Sequence, residues 1–273
     1  MCIRDSLAAA CVNPVRHYGL PVGLLQKGDP ADMIVLDNLV EFKARETIID
    51  GRSVACRESS FVPTRPDHRP NCFRVIEKNP EDFAVKGTAG AIRVIEVQDG
   101  NLVTGEQKEA AKVVGGNLVA DPDRDLLKIA VVNRYAEAPP AIGFIRNFGI
   151  RRGAMASSVA HDSHNIVAVG CDDDSLCRAV NMVIEHAGGL SLVNGNEEQV
   201  IALPVAGLMS DGDGERLGRA YARLESTAKE MGSTLRAPYM SLSFMALLVI
   251  PRLKLSDRGL FDVVRFRFTS LAC

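Results

Sequence analysis

The chain has 273 residues, of which 47% are hydrophobic and 24% charged, and its formal net charge is −2. This length can bury a large core, while the near-neutral charge and the absence of Trp argue against nucleic-acid or anionic-membrane partners. Seven scattered cysteines without a Cys-x-x-Cys pair are typical of a reducing compartment. The longest apolar run, 244–250, is too short to span a bilayer, so we expect a cytoplasmic protein.

The chain opens with a short Ala-rich segment, residues 1–22. It is predicted to be the end of a helix that packs on something larger, with Pro14 and Gly19 at helix boundaries. Residues 23–60 follow and carry strand patterns at 32–37, 42–49 and 52–55, the last two joined by an Asp50-Gly51 hairpin turn. Because two or three short strands are not stable alone, this segment needs partner strands.

Residues 61–70 are rich in Pro and Arg and are predicted to be an extended linker. Residues 71–273 are long enough to fold alone. One helix is predicted after a cap at 172–174 and ends at Gly188-Gly189, and a second is predicted from Glu215 to Met231. Strands are predicted at 91–97, 112–114, 128–133, 166–169, 199–203 and 260–268. Since strands and helices do not alternate strictly, the predicted fold class is α+β, with mixed α/β layers.

The densest polar cluster is the run from Ser157 to Asn165, which leads into an apolar strand pattern. It contains His161, Asp162, Ser163, His164 and Asn165. Neutral His can move protons near pH 7, and a neighbouring carboxylate can fix its tautomer, so these residues are candidates for ligand binding or proton transfer.

Other interpretations of the cluster stay open at this point. Asp162 and Ser163 could be a helix cap or a turn. A self-contained metal site is disfavoured, because the other three histidines do not form a ligand-like pair. A nucleophilic Ser163 is disfavoured because no Gly-x-Ser-x-Gly elbow surrounds it. Asn133 and Arg134 end a predicted strand, where binding side chains are common, and are candidates for substrate binding; the alternative is an exposed strand end.

Several motifs resemble the C-terminal domain of bacterial adenine deaminases. They are SSVAHDSHN at 157–165, LPVAGLMSD at 203–211, PYMSLSF at 238–244 and PRLKLSDRGL at 251–260. The Gly28-Asp29-Pro30-Ala31-Asp32 turn is similar to the segment that leads into the β-sandwich of amidohydrolases, and Asn13 to Leu20 resembles their last barrel helix. The resemblance thus divides the chain into barrel tail (1–22), sandwich segment (23–60), linker (61–70) and C-terminal domain (71–273).

The resemblance implies hydrolysis of adenine to hypoxanthine and ammonia, with a divalent metal, Mn or Fe, that activates a water in the full-length enzyme. It also implies a cytoplasmic homo-oligomer. The family's metal ligands lie mainly in the barrel, including a His-x-His that this sequence lacks. We therefore expect a C-terminal fragment that binds no metal itself, is inactive alone, and contributes an accessory segment to an active site formed with the missing N-terminal barrel. Residues 1–6 do not resemble that barrel. The alternative is a non-catalytic accessory or oligomerisation domain that binds a partner barrel or a small ligand.

Overall fold

The computed structural model of the protein describes residues 2–57, 59–63 and 69–273, so the middle of the predicted linker, 64–68, lies outside the described residues. The chain divides into two compact units, Met1–Pro66 and Asp67–Cys273. Strands dominate, and they form four sheets with few helices, which confirms a mixed α/β architecture.

The first unit begins with a continuous helical segment. It comprises α1 (Ile3–Leu7), a π-helical turn (Ala8–Val12) and α2 (Asn13–Tyr18). Pro14 lies in the first turn of α2, as predicted, although the π-helical turn before it makes the helical segment continuous. Proline lacks an N–H and crowds the carbonyl of the preceding turn, and the wider turn, in which the Asn13 N–H donates to the Ala8 carbonyl, accommodates it. Gly19 ends the helix with a φ of 61°, as predicted.

A four-stranded antiparallel sheet in the order β1-β2-β3-β4 completes the first unit. Its strands are β1 (Met33–Leu36), β2 (Ala44–Ile49), β3 (Arg52–Cys56) and β4 (Ser59–Ser60). The predicted hairpin is present: Asp50 and Gly51 both have positive φ, as a two-residue turn matched to strand twist requires. None of the described residues of this unit is buried, so the sheet has no core of its own.

An eight-stranded sheet forms the centre of the second unit, in the order β15-β14-β12-β13-β10-β11-β6-β7. These strands are β6 (Ala91–Glu96), β7 (Gly105–Ala110), β10 (Leu127–Val132), β11 (Ala141–Arg146), β12 (Ala154–Ser157), β13 (Ile166–Gly170), β14 (Gly189–Asn194) and β15 (Glu197–Ala202). Neighbouring strands are antiparallel except β6 and β11, which are parallel.

Two smaller sheets lie beside the large one. They consist of β5 (Val85–Lys86), β8 (Lys112–Val114) and β9 (Asn117–Val119) in one, and β16 (Leu253–Ser256), β17 (Gly259–Asp262) and β18 (Arg267–Phe268) in the other. The helices are α3 (Asp173–Glu185), α4 (Gly214–Glu230) and α5 (Pro238–Ser243), with short 3-10 turns at Pro80–Phe83 and Pro122–Arg124. No helix in the described part of the chain is long and apolar enough to cross a membrane.

Helices cover both faces of the large sheet. Helix α3 packs on one face, where alanines such as Ala130, Ala154 and Ala168 allow close approach. Its predicted cap is confirmed, because the Asp172 carboxylate accepts the Ser175 N–H at 2.7 Å. On the other face, α4, α5 and the β16-β17 hairpin bury the alternate side chains of the same strands. The second unit is therefore a three-layer structure with a core on each face of the large sheet, and a smaller cluster of buried side chains that includes Ile92, Leu118 and Phe144 completes it.

Two parts of the strand prediction are wrong. Residues 260–268 were expected to form one strand, but they form the end of β17, a turn and β18. The Asp262 carboxylate accepts the Arg265 N–H at 3.0 Å and Phe266 has a φ of 49°, so the turn is locally determined. The sequence patterns also miss several elements of the second unit, among them β7, β11, β12, β14, β16 and α5.

Candidate functional site

Residues 158–165 form the loop that joins β12 to β13, two neighbouring inner strands of the large sheet. This segment is called the histidine loop below. The backbone N–H of His161 donates to the carbonyl of Ser243 at 3.0 Å. The His161 ring stacks on Phe244, with centroids 4.7 Å apart and an interplanar angle of 26°. Helix α5 and the residue after it therefore hold the middle of the loop.

His164 is half-buried in the same loop. Its backbone has a φ of 54°, and its N–H donates to the Ala160 carbonyl at 2.8 Å. Burial lowers the pKa of His164 below its usual value, and the charges of His161 and Arg134 lower it further. The imidazole is therefore neutral around pH 7, the form that can accept a proton. Its Nδ1 atom is buried and has no hydrogen-bond partner among the described residues.

Arg134 is only 4% exposed, so the alternative of an exposed strand end is wrong for this residue. Its guanidinium lies over the rings of Phe73 and Tyr135, 5.1 and 4.8 Å from their centroids. It donates to the Ala206 carbonyl at 2.7 Å and to the Tyr135 hydroxyl at 3.0 Å. Its backbone N–H donates to the Asn165 side chain at 3.3 Å, which joins the strand end to the histidine loop.

The Asn133 side chain is hydrogen-bonded within the fold through both its amide N–H and its carbonyl oxygen. Its amide donates to the Asp257 carboxylate at 2.8 Å, and its carbonyl oxygen accepts the backbone N–H groups of Tyr135 and Ala136 at 2.9 and 3.2 Å. These bonds form an Asx-type turn that directs Arg134 inward. They occupy both ends of the Asn133 side chain.

Asp162 and Ser163 are the exposed part of the histidine loop. The Ser163 carbonyl accepts the Tyr135 hydroxyl at 2.7 Å. Within the described residues, the Ser163 hydroxyl has no hydrogen bond to His161 or His164, so a Ser–His nucleophilic pair is not formed.

The residues of the histidine loop do not fit a metal centre. The rings of His161 and His164 lie 6.0 Å apart, and one of them stacks on Phe244. Across residues 2–57, 59–63 and 69–273, no three His, Cys, Asp or Glu side chains come together as a ligand set. We therefore assign no chemical step through a metal to the residues of this chain.

Two of the other three motifs that carry the family resemblance contact the histidine loop, and the third contacts the strand end beside it. Ser158 donates through its hydroxyl to the Gly207 carbonyl at 2.6 Å, within LPVAGLMSD. His161 contacts Ser243 and Phe244, within PYMSLSF. Through Asn133 and Asp257, the strand end next to the loop is tied to PRLKLSDRGL. Segments that are up to about a hundred residues apart in sequence thus support one loop.

Two clefts open beside helix α5. The first, of about 410 Å³, is mainly apolar and includes Val159 of the histidine loop, Leu203, Tyr221 and Tyr239 in its lining. The second, of about 330 Å³, is lined by Phe244 and by the Asp99–Arg236 ion pair, among others. Met240 lines both clefts, so α5 forms the wall between them.

The sequence predicts the histidine loop and Arg134 as candidate site residues but does not indicate the residues that support them. Phe73, Tyr135 and Ala206 contact the Arg134 guanidinium, and Phe244 contacts His161. Ala206 belongs to the motif LPVAGLMSD and Phe244 to PYMSLSF, so the family motifs could have indicated these two contacts. Phe73 follows the predicted linker in a segment without regular structure, and no pattern in its neighbourhood indicates the contact.

Comparison with known proteins gives one consistent family. The profile of the family described as "Adenine deaminase C-terminal domain" matches residues 101–267. A protein named adenine deaminase from Salinibacter ruber is 50% identical over 97% of this chain and 49% of its own length. Relatives of the same name from Methanosarcina barkeri and Sulfurovum sp. are 46% and 47% identical, over 50% and 48% of their own lengths. The chain spans about half the length of the curated relatives it matches.

Proposed function

Because the chain belongs to the adenine deaminase C-terminal domain family, we propose that it is the C-terminal part of an enzyme that hydrolyses adenine to hypoxanthine and ammonia. Residues 1–22 and 23–60 would complete a barrel and a β-sandwich whose other parts lie in the preceding half, and 71–273 would be the C-terminal domain. The absence of any buried residue in the described part of the first unit supports this division. The metal, Mn or Fe, would belong to the preceding half, and the enzyme would be cytoplasmic.

The histidine loop is proposed to face the active site formed with the preceding half. The observation that carries this proposal is that two other family motifs contact that loop and a third contacts the strand end beside it. A loop that served only as a connection would not need a bond to a buried arginine, a stacked imidazole and contacts from two distant motifs.

The chemistry required by the reaction suits His164. Water must lose a proton to attack the amino-bearing ring carbon, and the departing ammonia must gain one. A neutral imidazole at the edge of the site can accept and return such a proton, whereas a charged one could not accept it. His161, stacked flat on Phe244, offers its ring edge, and Asn165 is committed to Arg134; we assign them positioning roles.

The test uses a chimaera that joins the N-terminal half of the Salinibacter ruber relative to residues 7–273 of this chain. His164→Ala and His161→Ala should each lower kcat at least tenfold without a matching loss of thermal stability. Glu225→Gln on helix α4 is the matched control, since Glu225 contacts Tyr221 and not the loop. Unchanged kinetics in both histidine variants would favour the alternative, a non-catalytic accessory or oligomerisation domain.

A further inference from the structure

Two neighbouring residues of the candidate site have buried nitrogen atoms without partners. In the part of the chain that the structure describes, four buried side-chain N or O atoms lack a hydrogen bond, and two of them are Arg134 Nε and His164 Nδ1. Buried polar atoms are nearly always bonded, because a donor or acceptor that is removed from water without a partner destabilises the folded state. Arg134 is joined to the histidine loop on both sides of His164, because its backbone N–H donates to Asn165 and its guanidinium bonds Tyr135, whose hydroxyl donates to the Ser163 carbonyl. Unpaired atoms on two residues linked in this way point to a group that is missing from the site.

The positive charge of Arg134 indicates that the missing group is an anion. Its guanidinium is almost wholly buried, yet its side-chain bonds among the described residues go only to the Ala206 carbonyl and the Tyr135 hydroxyl, both uncharged. A buried cation without an anionic partner is costly, and arginine makes its strongest hydrogen bonds to anionic acceptors, of which the carboxylate is the one that protein side chains supply. Arg146, whose Nε is also unbonded, differs because its Nη1 already pairs with Glu109 at 2.6 Å.

The surroundings of Arg134 are built to hold it in one position. Phe73 and Tyr135 lie against its guanidinium, and the backbone carbonyl of Arg134 accepts the Arg74 N–H at 2.8 Å. Gly207 makes room for it, since a Cβ there would come within 2.0 Å of Arg134 Nη1. A side chain that is fixed this firmly and left with a free donor is pre-organised to bind an acceptor.

We propose that Arg134 and His164 form a binding site for a carboxylate, which Arg134 Nε–H and the His164 imidazole receive from the side of the exposed residues Asp162 and Ser163. The charges that face the site are those of Arg134, His161 and Asp162. The carboxylate comes either from a side chain of the preceding half of the protein or from a free ligand. This proposal does not depend on deaminase activity.

The first experiment titrates sodium acetate into the purified 273-residue chain at constant ionic strength and follows the Arg134 Nε–H and His164 imidazole signals by NMR. Saturable shifts of both signals with acetate, and none with acetamide or chloride, are expected. Arg134→Lys keeps the charge but lacks Nε–H and should weaken acetate binding at least tenfold. Arg236→Lys, at an exposed arginine paired with Asp99, should leave the affinity unchanged.

The outcomes separate the possibilities. No saturable shift with acetate, or equal shifts with acetate and acetamide, overturns the proposal, and this comparison needs no variant to fold. The same titration on the chimaera then identifies the source. Loss of acetate binding there means that a side chain of the preceding half occupies the site, whereas retained binding means that a free carboxylate ligand does.

Discussion

At the scale of single residues, the site depends on the relation between Arg134 and His164. Burial is the main cause of the lowered pKa of His164, and the charges of His161 and then of Arg134 lower this pKa further. Arg134→Gln should therefore raise the pKa of His164 toward its ordinary value, as measured by NMR titration of the imidazole. Because the pKa of His164 is lower in the folded state, the unfolded state binds the His164 proton more readily. The stability of the folded state therefore falls as pH drops below about 6.5.

The control for that titration is Arg236→Gln, because Arg236 is exposed and paired with Asp99. A pKa of His164 that stays the same in Arg134→Gln, in a chain shown to be folded, would contradict the electrostatic link between the two residues.

Two glycines provide a second prediction at this scale. Gly207 has a φ of 69° and its added Cβ would meet Arg134 and Phe73, whereas Gly218 is in the interior of helix α4 with open space around it. Gly207→Ala should lower the free energy of unfolding by about 1–3 kcal/mol through clash and backbone strain. Gly218→Ala should raise it by about 0.5–1 kcal/mol, because alanine favours the helix. Urea unfolding measures both, and a Gly207→Ala protein as stable as the parent would refute the packing described here.

At the scale of elements, Lys254 on strand β16 makes the stability of the folded chain depend on pH. Lys254 is fully buried, and its ammonium donates to the Leu102 carbonyl at 2.9 Å with no carboxylate partner among the described residues. Burial lowers the pKa of Lys254 to about 8. Below this pH the folded state must bury a charge, and between about 8 and the unfolded value of 10.5 it releases the proton, so stability rises with pH in that window.

Lys254→Met should therefore stabilise the chain near pH 7, by on the order of 2 kcal/mol, and the gain should shrink above pH 8. Lys128 is the matched control. It is equally buried but pairs with Asp173 at 2.6 Å, so Lys128→Met should destabilise the chain. Urea unfolding at about pH 7 and pH 9.5 measures both changes. Destabilisation by Lys254→Met at the lower pH would show that burial of the Lys254 charge does not destabilise the folded chain.

The elements also show what a single sequence can establish. Helices α3 and α4 were predicted closely, because each has a cap, an apolar face and a glycine at or just after its end. Strand β7, with the sequence GEQKEA, was missed because an exposed edge strand carries no apolar alternation. The histidine loop was identified by its polar residues, but the Arg134–Ala206 contact joins residues 72 positions apart, and such pairings are set by the fold.

At the scale of the whole molecule, the two units contrast. Residues 69–273 have a three-layer structure with buried cores, while none of the described residues before 64 is buried. The second unit thus has the core of an independent domain, and the first has apolar side chains such as Ile34, Val40 and Phe61 that remain exposed. We propose that the partners of the first unit, and the metal, lie in the half of the protein that precedes the matched part in the relatives.

The most direct test of this account compares ammonia release from adenine by the isolated 273-residue chain and by the chimaera, each supplied with manganese or iron. The account predicts metal-dependent release by the chimaera and none above blank by the isolated chain, because its described residues offer no metal-ligand set. Metal-dependent ammonia release by the isolated chain, well above blank, would contradict it.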